Sequence, residues 1–251
     1  MLITLTKEEC ISAIKTWKEV KSDYSKIESI INPQLVFSFN REQIDWLSKL
    51  NKYKNFHTYI GVHRDELILI LVPLDQSGTE LKLSEYSTSS LIPLAIDLKL
   101  VEIEETTKIK TTVLSQDLKI SSYTEEFKLP TENRPAVGEK TALQEIESWS
   151  NECHDWFYCE CFDFLGKRIF NTFTVPFEDL GKPEEGIDQV ICIFAFKISV
   201  LYKRQIPTLI FIALDDKQLG AQIIRSTDDN SYDWSQPCPP FCKEGNFDFL
   251  E

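Results

Sequence analysis

Glycine is scarce in this chain, and its scarcity excludes more than any motif supplies. The eight glycines among 251 residues are scattered. No G-x-x-x-x-G-K-[ST] or G-x-G-x-x-G loop is there to cradle a phosphate or dinucleotide. There is no G-x-S-x-G elbow for a serine nucleophile and no H-E-x-x-H pair for a catalytic zinc. Histidine is rarer still: His57, His63 and His154. Basic residues are in the minority, 27 Lys and Arg against 40 Asp and Glu, for a net charge of -13. Such a surface repels a phosphate backbone, which argues against nucleic acid as a partner. Long apolar runs are missing as well. "ELILILVPL" and "TLIFIAL" are strand-sized, well short of the ~20 residues of a membrane helix, so no membrane association is expected. The first ten residues, "MLITLTKEEC", carry charge where a secretion signal needs an apolar centre. Seven cysteines, an odd number, do not form a disulfide framework. The expectation is a cytoplasmic protein with mostly reduced thiols.

What is present is core material. Sixteen Phe, 8 Tyr and 5 Trp within a 42% hydrophobic chain can fill a sizeable interior, so global disorder is excluded. Thr6 caps a first helix, with Glu8 and Glu9 in the first turn, where the helix dipole favours negative charge. Ile11, Ile14, Trp17, Tyr24, Ile27 and Ile31 recur at helical spacing, and Asn32-Pro33 stops the run. "QLVFSF" reads as a strand. Asn40 and Gln43 then form a capping box for a second helix with Ile44, Leu47 and Leu50 on its apolar face. "FHTYIGV" and "ELILILVPL" follow as two strands joined by a tight "HRDE" turn; the second is apolar on both faces, as in a strand covered on both sides.

The same order recurs later. "KTALQEIESWSNECHDWF" places Leu143, Ile146, Trp149, Cys153 and Trp156 on one helical stripe. "IFNTFTV" is a strand, "PFEDL" a short helix, and "QVICIFAFKISVLY" and "IPTLIFIAL" are adjacent strands. The octapeptides "FSFNREQI" (37–44) and "FTVPFEDL" (173–180) mark the same strand-to-helix corner. They align Ser38 with Thr174, Glu42 with Glu178, and further on Asp75 with Asp215. A looser third match, "ITLTKEEC", reflects recurrent capping chemistry. The fold class expected is α+β, built as two related helix-strand-helix-strand-strand modules in a pseudo-twofold pair. Phe37 and Phe173 should be buried at equivalent places.

The domain reading is 1–120 for the first module with an appended hairpin around "EETT", 121–138 for a linker, 139–226 for the second module and 227–251 for an irregular tail. The linker rests on Pro130, Pro135 and Gly138. "AQIIRS" is expected as an edge strand. The tail aromatics, Trp234 and Phe241 among them, are expected to pack on the body.

Chemistry is sparse. His57 and His63 lie six residues apart on one strand, ~20 Å of rise, too far to share an ion. Asp75 and Asp215 are read as turn residues at strand ends. The uneven feature is cysteine. Cys153, His154, Cys159 and Cys161 fall within "CHDWFYCEC", and Cys238 and Cys242 flank "PPF". These six are the candidate ligands of a zinc site, and Cys238 and Cys242 the candidate disulfide. Burial as ordinary core thiols is the competing reading. No cofactor and no catalytic residue is assigned.

The F-[ST]-x-x-x-E-[DQ]-[LI] corner, the strand pair ending "LVPLDQSG" and the Pro-Cys-Pro-Pro-Phe-Cys tail together resemble uncharacterised duplicated proteins common in Bacteroidota. The resemblance covers part of the chain. It implies a bacterial origin and a partner encoded nearby, and brings no activity with it. The function expected is therefore non-catalytic: an accessory or immunity-type protein that binds another protein through a surface or an inter-module groove. The alternatives are a zinc or thiol-redox protein using the cysteines, and an enzyme whose site is assembled from dispersed carboxylates and His.

Overall fold

A computed structural model describes residues 3–95, 98, 107–114, 120–128, 139–180, 188–199, 204–214, 231–232, 235–242, 247 and 249. The chain is α+β with antiparallel sheets. Strand β1 (Thr4–Thr6) runs directly into helix α1 (Lys7–Val20). Thr6 caps α1 in a full capping box: its hydroxyl accepts from the Glu9 N–H while the Glu9 carboxylate accepts from the Thr6 N–H. The long helix expected as far as Ile31 is broken at Lys21–Asp23. The Asp23 side chain accepts from the Ser25 N–H and starts a separate helix, α2 (Tyr24–Ile30). Strand β2 (Phe37–Asn40) leads into α3 (Arg41–Leu50) through the Asn40–Gln43 box. Strands β3 (Asn55–His63) and β4 (Glu66–Val72) form the tight hairpin.

Strand β5 (Glu85–Ser90) escaped the sequence reading because "EYSTSS" is serine-rich and reads as loop. It forms because its polar groups are met internally: Gln43 Nε2 donates to Ser87 Oγ and to the Thr88 carbonyl. The hairpin is displaced along the chain. Strands β6 (Thr107–Leu114) and β7 (Ile120–Lys128) pair antiparallel, so residues 121–128 are strand and not linker. "SSYTEEFK" lacks Gly and Pro and carries Tyr, Thr and Phe, residue types that suit a strand. Residues 129–138 and the expected edge strand 221–226 lie outside the described residues.

Helix α4 (Glu139–Phe164) is longer than its expected stripe and takes in Cys159 and Cys161. Strand β8 (Thr172–Pro176), one 3-10 turn (Phe177–Leu180), β9 (Gln189–Ser199) and β10 (Arg204–Leu214) follow. The tail is not wholly irregular: β11 (Ser231–Tyr232) and β12 (Gln236–Cys238) both pair.

Two larger sheets carry the body, in the orders β1-β5-β4-β3-β8-β12 and β11-β10-β9-β2. Each takes in strands from the other half of the chain: β8 and β12 in the first, β2 in the second. Strand β2 joins the second sheet, with Phe37 opposite Cys192 and Asn40 opposite Gln189. Strand β8 joins the first, with Phe173 opposite Thr58 and Pro176 opposite Asn55. The sheets pack face to face through one aromatic core. Phe37 meets Phe194 at 5.5 Å between ring centroids, Phe56 meets Phe211 at 6.3 Å, and Phe170 meets Phe173 at 5.1 Å. Phe37 and Phe173 are both fully buried. Helix α1 covers the outer face of the first sheet with Cys10, Ala13 and Ile14. Helix α4 covers the outer face of the second with Ala142 and Ile146. Trp17 and Trp149 carry each helix into the shared core, and Trp17 Nε1 donates to the Phe170 carbonyl at 2.8 Å.

Candidate functional site

A cleft opens where α2, the β3–β4 turn and α4 meet. It encloses about 540 Å³. Ile30, Ile31, Pro33, Leu67 and Leu91 give it an apolar floor, and Glu28, Asp65, Glu66 and His154 give it polar walls. Each wall has a local cause. Asn32 Oδ1 accepts from the Gln34 N–H and turns the chain away from α2 ahead of Pro33. The β3–β4 connection is a two-residue turn with Arg64 at φ 52° and Asp65 at φ 64°. Both central residues are left-handed, as a type I′ hairpin demands, and neither is glycine. His154 reaches the cleft from α4, and its Nδ1 is shielded from solvent with no hydrogen-bond partner among the described residues.

An exposed aromatic ridge adjoins the cleft. Tyr158 and Phe162 sit one turn apart on α4 with their rings stacked, centroids 6.0 Å apart and planes 6° from parallel. Phe162 is 75% exposed, Tyr158 53% and Leu165 66%. Tyr24 of α2 meets Tyr158 edge-on at 5.4 Å, and its hydroxyl donates to Glu28 Oε1 at 3.2 Å, so Glu28 belongs to both ridge and cleft. Partial burial, the bond to Glu28 and the carboxylates of Glu28 and Asp155 raise the Tyr24 hydroxyl above its usual range. Gly166, at φ 68°, ends α4 by donating to the Glu160 carbonyl. A β-carbon there would stand 2.5 Å from the Lys21 carbonyl oxygen, so glycine is required where α4 closes on the α1–α2 joint. Just beyond, Arg168 donates twice to the Glu160 carboxylate while its guanidinium lies 3.3 Å over the Phe164 ring.

A second polar group is buried under the tail. Glu80 Oε1 accepts from the Tyr59 hydroxyl at 2.5 Å and lies 2.7 Å from His57 Nδ1. All three residues are buried. Phe247 lies over the His57 ring at 4.6 Å, and Phe249 meets Tyr59 and Tyr86 edge-on. Beside them is a cavity of about 300 Å³ whose lining includes Lys7, Glu80, Lys82, Tyr86 and Phe249. The two-residue period of β3 places His57 and Tyr59 on one face. Nothing in the sequence announced Glu80 as their partner. His63 ends β3 half-buried and away from this group.

The six candidate ligands are divided. Cys153, His154, Cys159 and Cys161 all lie on α4, where a two-residue step turns the helix by ~200° and sends Cys159 and Cys161 to opposite faces. Cys161 is buried and its thiol donates to the Lys21 carbonyl, while Cys159 is exposed, so burial does not describe all the thiols. Burial pushes the Cys10 thiol up to about 12 and the Cys153 thiol to about 11, leaving both protonated and poorly nucleophilic at neutral pH. Cys238 and Cys242 are joined to each other as a disulfide. Phe241 is half-buried, and Trp234 lies outside the described residues. Among the described residues, no group of three His, Cys, Asp or Glu side chains is placed to hold a metal ion. Asp75 is turn chemistry: its Oδ1 accepts from the Ser77 and Thr79 N–H groups and the Ser77 hydroxyl. Those bonds hold its carboxyl below the usual range. Asp215 lies outside the described residues. No helix among the described residues is long and apolar enough to cross a membrane.

No family model, curated protein or solved structure matches the chain.

Proposed function

We propose that this chain is a non-catalytic interaction protein of a bacterial cytoplasm, holding another protein at the cleft between α2, the β3–β4 turn and α4. The observation that carries the reading is the stacked Tyr158–Phe162 pair, exposed beside an apolar-floored cleft. Rigid aromatic side chains are the residues that protein interfaces use as anchors, because they bring large contact area at a small entropic cost. The acidic balance of the chain favours a protein partner over nucleic acid.

The reading includes a duplicated architecture. Strand register supports it. If β2 is equivalent to β8 with Phe37 aligned on Phe173, and β3 to β9 with Thr58 aligned on Cys192, the Phe37–Cys192 pair of one sheet corresponds to the Phe173–Thr58 pair of the other. Extending the same correspondence along the hairpins relates Val72 to Ile212, since His57 faces Val72 and Ile191 faces Ile212. That is the spacing that aligned Asp75 with Asp215. The modules 1–120 and 139–226 would then have exchanged their first strands, and the cleft falls between them, with Glu28 and Asp65 from one and His154 from the other.

A photo-crosslinking amino acid at position 162 tests the function. In extract of the native host it should join the chain to one discrete protein. The same group at Ile198, which is 73% exposed on β9, should not. Equal, diffuse labelling from both positions overturns the reading. The disulfide favours a second reading, a thiol-redox role for Cys238 and Cys242. That reading requires the reduced pair to re-form its bond in a glutathione redox buffer, and seven free thiols after such treatment remove it.

A further inference from the structure

We infer that the partner docks through an amphipathic segment bearing arginine, its guanidinium groups stacking on Tyr158 and Phe162 and pairing with the carboxylates of Asp155 and Glu28. The inference rests on the proposed interaction role and adds the chemistry of the partner.

The same helix already contains the arrangement on a small scale. Glu160 and Phe164, one turn apart, hold Arg168: the carboxylate takes two guanidinium hydrogen bonds and the ring takes the cation on its face, 3.3 Å from the centroid. Asp155, Tyr158 and Phe162 repeat the ingredients at three- and four-residue steps on the opposite face of α4. These three are exposed. A planar guanidinium can stack on a ring and bind a carboxylate at once. An ammonium can only approach the ring as a point charge. Glu28 faces the ridge through its bond to Tyr24, and Asp65 and Glu66 extend the negative wall into the cleft. The apolar floor asks for aliphatic side chains between the cations, which makes the segment amphipathic rather than merely basic.

The test uses the full chain and labelled synthetic peptides of amphipathic arginine–leucine pattern, read by fluorescence anisotropy. Matched peptides carry lysine, or neutral and isosteric citrulline, at every arginine. The arginine peptide should bind most tightly, the lysine peptide more weakly and the citrulline peptide least. Phe162→Ala should weaken the arginine peptide by about tenfold, the scale of one partly desolvated cation–ring contact. The paired change Asp155→Asn and Glu28→Gln should flatten the salt dependence. An unchanged urea midpoint verifies that these surface variants are folded. Equal binding of arginine and citrulline peptides, of arginine and lysine peptides, or of wild type and Phe162→Ala, overturns the inference. A discrete crosslink from position 162 with no arginine-peptide binding overturns it and leaves the interaction role standing; loss of both overturns the two together.

Discussion

Gly61 offers the sharpest test of how α1 seats on the first sheet. It lies on the outer face of β3, opposite Ile68, directly beneath Ala13. A β-carbon at position 61 would stand 2.9 Å from Ala13 Cβ, 3.2 Å from the Ala13 carbonyl carbon and 3.3 Å from Ile68 Cγ1. Carbon atoms settle at ~3.5–4.0 Å, so α1 must lift by roughly 0.6–1 Å. Ala13 has no rotamer with which to yield. Overpacking of this kind costs about 1–3 kcal/mol. Loss of glycine's extra freedom in the unfolded chain returns about 0.4–1 kcal/mol where the backbone conformation is compatible. The net expectation for Gly61→Ala is a loss of about 1–2 kcal/mol, read as a lowered urea midpoint at unchanged slope. Ala13→Gly alone should cost about 1 kcal/mol as a helix-interior glycine. Together the two should cost less than their sum, because the second change removes the atom the first one strikes. Additivity within ~0.5 kcal/mol, or a neutral Gly61→Ala, would refute this account of the contact.

Two further outcomes follow from buried polar groups. Glu80→Ala removes the buried acceptor shared by the Tyr59 hydroxyl and His57, and should cost about 1–3 kcal/mol. Glu80→Gln, which can still accept from Tyr59, should cost distinctly less, and equal urea midpoints for the two variants would count against the assignment. Lys21 donates to the Ile169 carbonyl at 2.8 Å, and burial, with Lys18 nearby, lowers its amine to about 8. The folded state therefore binds fewer protons than the unfolded state between about pH 8 and 10.5, and the Lys21 contribution to stability rises with pH across that window. The buried Cys10 and Cys153 thiols act in the opposite sense above pH 9. The measurement is thus the difference between wild type and Lys21→Met, which should shift in favour of wild type as pH rises from 7 to 9.5; parallel stability curves would rule it out.

Local chemistry made the helix starts legible. Thr6 and Asn40 are good caps with an acceptor three residues on, and both boxes form. The hairpins were legible because β4 and β10 are apolar on both faces and flanked by turn residues. Three things were not. The break at Lys21–Asp23 was hidden, because Tyr24 and Ile27 continue the apolar period of α1 almost in phase. Strand β5 was hidden, because its stability comes from Gln43, 44 residues away, and not from its own composition. The Tyr158–Phe162 ridge was also hidden. Helical spacing shows that two aromatics share a stripe, but whether that stripe meets the core or water depends on where Trp149, Cys153 and Phe157 point α4. The candidate site was least legible of all, because its walls come from three separated segments.

The outer faces of the two sheets carry different polar groups: His57, Tyr59 and Glu80 on the first, and Thr208 bonded to Ser235 on the second. On β9 the residues facing outward are Ile191, Ile193 and Ala195, and they meet Ala142 and Ile146 of α4. On β3 the residues facing outward are His57, Tyr59 and Gly61. Helix α1 reaches Gly61 closely but leaves His57 and Tyr59 to the β4–β5 connection and to Phe247 and Phe249. The β4–β5 connection brings Glu80, and a carboxylate excluded from water must be met by donors. Tyr59 and His57 meet it, while their ring faces remain apolar enough to take Phe247 and Phe249. An aromatic ring with a polar tip satisfies both neighbours at once, which neither isoleucine nor a plain polar side chain does. The polar cluster is therefore a consequence of what covers that half of the sheet.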